Sequence, residues 1–223
     1  MKRIFLLFGS TGDLGKAAVE FFLQKDYDFF YFFARKEFTV NSSKTNYKIV
    51  TVSDLTNEKS VEKSFSVIKN VKDAAYFLFS AVGGYFGGKN ISETSYEDWI
   101  KMQNMNLNSA FLISKYFARL VNGTKGGSVC FTSAYSSLNP EKGKAAYVIS
   151  KNSLNYLVKN FALEGKEISL SANAVAPFII DTPPNREWVD DPQKMVSAEE
   201  ICTVVQSTFD NYKKVTGNII QLP

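Results

Sequence analysis

From end to end the 223-residue chain alternates short β-rich apolar runs with helix-like stretches, and this alternation constrains its fold more than any other feature. Strands separated by helices cannot return as hairpins, so each one runs parallel to its neighbours through a right-handed crossover. The spacing predicts strands over Arg3–Phe8, Phe29–Ala34, Tyr47–Val52, Ala74–Ser80, Ser128–Ser133, Ser169–Val175 and Gly217–Leu222. It predicts helices over Asp13–Gln24, Asn57–Asn70, Tyr96–Leu120 with a break near Gln103, Ala146–Leu163 and Ala198–Tyr212. Ser197 and Glu200 make a capping box at the start of the last helix. The expected fold class is α/β: a single domain over residues 1–223, a Rossmann-type doubly wound parallel sheet of about seven strands with helices on both faces. Ligands then bind beyond the carboxyl ends of the strands, which is where motifs are to be sought.

The first strand is followed by GSTGDLG, with glycines at 9, 12 and 15, and then by a helical run. Glycines there close a tight turn and bring backbone N–H groups and a helix N-terminus to a pyrophosphate. The second strand ends FFARKEF, placing Arg35 and Lys36 where a dinucleotide site carries the group that reads the adenosine ribose. Cationic side chains favour NADP over NAD, although Glu37 in another register suits NAD.

Composition narrows the chemistry. There is no histidine among the 223 residues, which removes Ser-His-Asp and Cys-His catalysis and histidine-ligated metal sites. Cys130 and Cys202 are too few for a zinc cluster or a disulfide framework, so no metal is expected and a reducing, cytoplasmic location is. MKRIFLLFGS reads as a first strand because its apolar run breaks at Gly9, and charges interrupt the aromatic segment from Phe21 to Phe38. Neither segment is expected to enter a membrane. A net charge of +4 without a dense basic cluster points away from nucleic acid and toward a small anionic molecule.

YxxxK occurs twice. Tyr85 and Lys89 enclose two glycines on a loop, whereas Tyr147 and Lys151 open a stretch of helical periodicity that puts phenol and ammonium on one face. An adjacent ammonium is expected to lower the phenol's pKa toward the working range of an acid or base.

Taken in order, the N-terminal glycine loop, SAVGG after the fourth strand, MNLNSAF, TSAYSSLNP before YVISK, and NAVAPFIIDTP resemble the short-chain dehydrogenase/reductase family along nearly the whole chain. The resemblance implies an NAD(P)-dependent oxidoreductase in which Tyr147 donates a proton, Lys151 lowers its pKa and holds the nicotinamide ribose, and Asn106 holds a relay water. It implies cofactor contacts from Gly9, Ser10, Thr11, Gly12, Leu14 and Gly15, from Arg35 and Lys36, and from Asp54 and Leu55 at the adenine. Ala81 and Gly83 stand in the fourth-strand loop, and Pro177, Ile180 and Thr182 fall where the family binds the carboxamide and pyrophosphate. A homodimer or homotetramer built on the helices Tyr96–Leu120 and Ala146–Leu163 is also implied.

Two departures matter. The family's serine position, 13 residues before Tyr147, holds Ala134, so either Ser133 serves or the hydroxyl is dispensed with. The evenly spaced glycines resemble the extended branch, whose large C-terminal domain is not expected in a chain that closes on its last strand. Both features, with VGGYFGG and DTPPNR, resemble the dihydropteridine reductase subgroup. The implied reaction is hydride transfer to a carbonyl or quinonoid C=N carbon, on a small-molecule substrate lying against Gly84, Tyr85, Phe86 and Trp188. The alternatives are a 3-oxoacyl-thioester reductase and, in another class, a dinucleotide-binding redox sensor without turnover.

Overall fold

The computed structural model describes residues 1–189 and 191–223, Pro192 by its backbone only. The strands are β1 (Lys2–Phe8), β2 (Phe29–Ala34), β3 (Tyr47–Thr51), β4 (Ala74–Ser80), β5 (Gly127–Thr132), β6 (Leu170–Pro177) and two two-residue strands, β7 (Ile179–Ile180) and β8 (Met195–Val196), before β9 (Ile219–Leu222). Helices α1 (Asp13–Leu23), α2 (Glu58–Ser66), α3 (Tyr96–Gln103), α4 (Ser109–Val121), α5 (Ala145–Glu164), α6 (Pro183–Arg186) and α7 (Ala198–Asp210) connect them. Seven strands form one parallel sheet in the order β3-β2-β1-β4-β5-β6-β9, and β7 pairs with β8 apart from it. The chain winds outward from β1 in both directions, so the switch point lies between β1 and β4.

Both sheet faces are buried because successive strand residues point to opposite sides. Ile4, Leu6 and Phe8 of β1 join one core with Tyr31, Phe33 and Phe117, while Phe5 and Leu7 join the other with Phe22, Phe30 and Phe209. The aromatic segment thus belongs to a helix end and a central strand. Phe8 and Phe33 stack 4.1 Å apart on one face and Phe5 and Phe22 4.3 Å apart on the other. No described helix is long and apolar enough to cross a membrane.

Several boundaries differ from the sequence expectation, each for a local reason. The second helix spans Glu58–Ser66 and not Asn57–Asn70: Asn57 is its cap, accepting from Ser60 N at 3.1 Å, and two phenols end it. Tyr31 accepts from Lys69 N, and Tyr76 accepts from Val71 N while donating to Lys69 O, so that backbone finds its partners outside a helix. The break near Gln103 is a π turn, Asn104–Asn108, joining α3 to α4 without interruption. Ser169 has a left-handed φ of 55°, which delays β6 to Leu170. The capping box of α7 forms as expected, with Ser197 N donating to Glu200 Oε2 at 2.8 Å and Glu200 N to Ser197 Oγ at 3.2 Å.

Candidate active site

The loop after β1 folds back on itself through its glycines. Gly9 has φ +87°, and a Cβ at Gly15 in the first turn of α1 would land on the Gly9 carbonyl oxygen, so strand and helix approach more closely than any side chain allows. Gly12 caps α1 with bare backbone. Gly9, Thr11 and Gly12 line a cleft of about 290 Å³ at the switch point, together with Arg35, Asp54, Leu55, Ala81 and Gly83. The other motif residues build the loop and do not line the cleft: Ser10 is buried with its hydroxyl donating to Leu7 O at 3.0 Å, and Leu14 and Gly15 pack inward. Arg35 is exposed and makes no ion pair among the described residues, whereas Lys36 and Glu37 lie outside the lining. Asp54 accepts from Thr56 N and Thr56 Oγ1 at 2.8 and 2.7 Å, which fixes its turn.

A second cleft, about 710 Å³, opens beyond β5 and β6. Tyr85, Ser133, Ser136, Tyr147, Pro177, Phe178, Ile180 and Trp188 are among its walls. Tyr147 and Lys151 stand one turn apart on α5, and the buried Lys151 Nζ donates to Thr132 O at 2.7 Å. A Cβ at Gly83 would come within 2.7 Å of that ammonium, so Lys151 borders the first cleft while Tyr147 lines the second. Burial pushes Lys151 down to about 8. Burial holds Tyr147 well above the ordinary phenol range, and Tyr85 and Glu141 add to it. The expected net lowering of the phenol by Lys151 is therefore not met in the resting site: the ammonium is directed at the Thr132 carbonyl, and desolvation dominates. The Tyr85 ring meets that of Tyr147 edge-on, with centroids 5.0 Å apart.

Asn106 lies buried within the π turn, and both groups of its amide are employed. Its Oδ1 accepts from Gly84 N at 2.9 Å, and its Nδ2 donates to Gly84 O at 3.0 Å and to Ser150 Oγ at 2.9 Å. The fourth-strand loop is thereby clamped to α5, since Ser150 Oγ in turn donates to Tyr147 O. Phe86 is half-buried beside the Lys89 ammonium, 5.6 Å from its ring, and Gly84, Phe86 and Thr182 line neither cleft.

A family profile described as Enoyl-(Acyl carrier protein) reductase matches residues 14–208. The chain belongs to the short-chain dehydrogenase/reductase family. Members of this family are NAD(P)-dependent oxidoreductases. Dihydropteridine reductase of Dictyostelium discoideum is 29% identical over 193 residues, covering 86% of this chain and 80% of that protein. Galactitol 2-dehydrogenase of Rhizobium johnstonii is 27% identical over 170 residues, with coverage of 70% and 66%. A solved structure described as ElxO with NADP bound shares the fold at TM-score 0.87 and 21% identity, across 99% of this chain and 97% of that one.

After β5 this short-chain dehydrogenase/reductase turns its serine hydroxyls in different directions. Ser133 Oγ donates to Asn155 Oδ1 at 2.6 Å, directed toward α5. Asn155 also donates to Ser137 Oγ at 2.8 Å, and all three side chains are buried. Sequence reasoning missed Asn155, Ser136 and the ion pair of Lys144 with Glu141, 2.6 Å apart on the cleft wall. Asn155 stands eight residues after Tyr147 and four after Lys151, on the same helical face, and this spacing is the signal that was available. Among the described residues no cluster of acidic or cysteine side chains is placed to hold a metal ion.

Proposed function

We propose that the protein is an NADPH-dependent reductase that adds a hydride and a proton across a C=O or quinonoid C=N bond. The observation that carries this reading is the placement of Tyr147 and Lys151, one turn apart, with the ammonium bordering the cleft of the glycine loop and the phenol inside the neighbouring cleft. The first cleft fits a dinucleotide: its glycines leave backbone where a Cβ would intrude, and Arg35 is free to meet a 2′-phosphate. In this reading Gly9, Thr11 and Gly12 hold the pyrophosphate, Asp54 and Leu55 the adenine, and Ala81 and Gly83 admit close approach. Lys151 has three N–H donors and one acceptor among the described residues, which leaves donors for the nicotinamide ribose. In the same reading Pro177 and Ile180, on the wall of the second cleft, would meet the carboxamide, and Thr182 follows them outside both linings. When bound, the nicotinamide supplies the hydride to the substrate carbon.

Tyr147 supplies the proton to the heteroatom. Its raised pKa keeps it protonated across the neutral range, the state a proton donor needs, and the Lys151 charge compensates the phenolate left behind. Tyr85, Phe178 and Trp188 offer ring faces to a flat substrate, in keeping with the likeness to dihydropteridine reductase. A 3-oxoacyl-thioester reductase is the second reading; the description of the family profile, an enoyl reductase, shares with it the acyl carrier and not the bond reduced. An exposed stripe on α5, Ile149, Tyr156 and Leu163, with Phe111 on α4, supports a homodimer or homotetramer. The two buried free cysteines suit the reducing cytoplasm.

Mixing the protein with NADPH and quinonoid dihydropterin, quinones or 3-oxoacyl thioesters tests the reading through loss of cofactor absorbance. Tight NADPH binding without oxidation on any of them would overturn it. Arg35→Ala is expected to weaken NADPH roughly 10- to 100-fold and NADH hardly at all, as loss of one charge-assisted phosphate contact predicts. Equal losses in a binding titration would argue for another reader of the ribose.

A further inference from the structure

Three serines follow β5, and they are differently employed. Ser133 Oγ donates to Asn155 Oδ1 at 2.6 Å. Ser137 Oγ donates to Ala134 O at 2.5 Å and accepts from Asn155 Nδ2 at 2.8 Å. Ser136, in the short 3₁₀ turn Tyr135–Ser137, is 7% exposed and lines the same cleft as Tyr147. Among the described residues its hydroxyl makes no hydrogen bond, and it is not one of the sealed unpartnered polar atoms, so the oxygen opens on the cleft.

The rest of the wall sharpens the contrast. Lys144 and Glu141 are paired with each other, and Asn185 Nδ2 is committed to Ile180 O at 2.8 Å. Apart from the phenols of Tyr85 and Tyr147 and the exposed indole N–H of Trp188, Ser136 is the polar side chain lining this cleft whose hydrogen-bonding capacity is unspent among the described residues. A hydroxyl that opens on the cleft from an otherwise buried residue is held in place by its surroundings and free to donate to whatever occupies the cleft.

We propose that Ser136 is a catalytic residue, donating a hydrogen bond to the heteroatom of the substrate's C=O or C=N group beside Tyr147. The proposal rests on the reductase reading and deepens it. It answers the absence of a hydroxyl at Ala134 without recruiting Ser133, whose proton is already given to Asn155. A fixed donor aimed at the heteroatom strengthens its contact as negative charge develops there, and Tyr147 still delivers the proton.

The test compares Ser136→Ala, Ser133→Ala and Tyr147→Phe, using quinonoid dihydropterin and menadione as substrates. Ser136→Ala is expected to lower kcat/KM at least about 10-fold, with Tm and NADPH affinity unchanged, as removal of one preorganised donor predicts. Ser133→Ala is expected to lower Tm and to leave turnover per folded molecule nearly intact. Quenching of Trp188 by menadione in the cofactor-free protein gives a readout independent of turnover, and Ser136→Ala should weaken that binding several-fold. Wild-type turnover in Ser136→Ala beside an inactive Tyr147→Phe overturns the proposal and spares the reductase reading. Should the wild type turn over neither probe nor a 3-oxoacyl thioester, the reductase reading fails, and equal menadione affinity in wild type and Ser136→Ala would overturn the role of Ser136 as well.

Discussion

Tyr147→Phe should reduce turnover at least about 100-fold while leaving NADPH affinity within about twofold, because it removes a general acid and almost no binding surface. The ring that remains still packs edge-on against Tyr85, and the phenol hydroxyl makes no hydrogen bond among the described residues, so the fold loses nothing by its removal. A pH profile adds a second readout. Tyr147 is held protonated by burial, so ionisation of the donor does not limit the rate near neutrality. Lys151, pushed down to about 8, loses the charge that compensates the forming phenolate as pH rises through that value. Turnover of the wild type is therefore expected to fall above about pH 8, and the residual rate of Tyr147→Phe to be flat across the same interval. Unchanged turnover in the variant, measured with saturating NADPH, would remove Tyr147 from the chemistry.

What the sequence discloses about this fold is what repeats locally. The alternation of apolar runs yields the sheet strands because the inner ones are buried on both faces, and β2 and β4 fall where expected because aromatic and other apolar residues fill them almost without interruption. The glycine loop is readable for the same reason, since Gly9 and Gly15 answer a backbone contact only a few residues away. The two-residue strands β7 and β8 are too short to leave any periodicity. Long-range hydrogen bonds leave none either. Ser133 and Asn155 are 22 residues apart, and nothing in TSAYSSLNP tells which serine turns to α5 and which to the cleft. The same limit explains Ser10, which turns inward within a motif whose neighbours Gly9, Thr11 and Gly12 line the cleft, and Lys151, whose partner is a backbone carbonyl at Thr132. The placement of Tyr147 and Lys151 one turn apart was legible from their helical interval, and which neighbour takes a proton was not.

Lys151→Met should abolish activity, at least about 100-fold in kcat, and yet raise the melting temperature at neutral pH. Burial lowers the lysine from 10.5 to about 8, which means the folded state pays to keep the ammonium charged. The unfolded chain holds the proton up to about pH 10.5, and the folded chain gives it up near 8, so between these values the unfolded state binds more protons and stability rises with pH. Below about 8 both states are charged and the full cost is present, on the order of 3 kcal/mol. Methionine removes that cost but leaves Thr132 O without its donor, a loss of about 1–2 kcal/mol, so the net gain near neutrality is about 1–2 kcal/mol. For a chain of this size that corresponds to roughly 2–8 °C in Tm. At about pH 10 the wild type has recovered most of the difference, and the two melting curves should converge or cross. Melting both proteins at the two pH values, with cofactor absent, decides the matter. A variant less stable than the wild type by the same margin at both would show that Lys151 is held in place by packing and not at the expense of a buried charge.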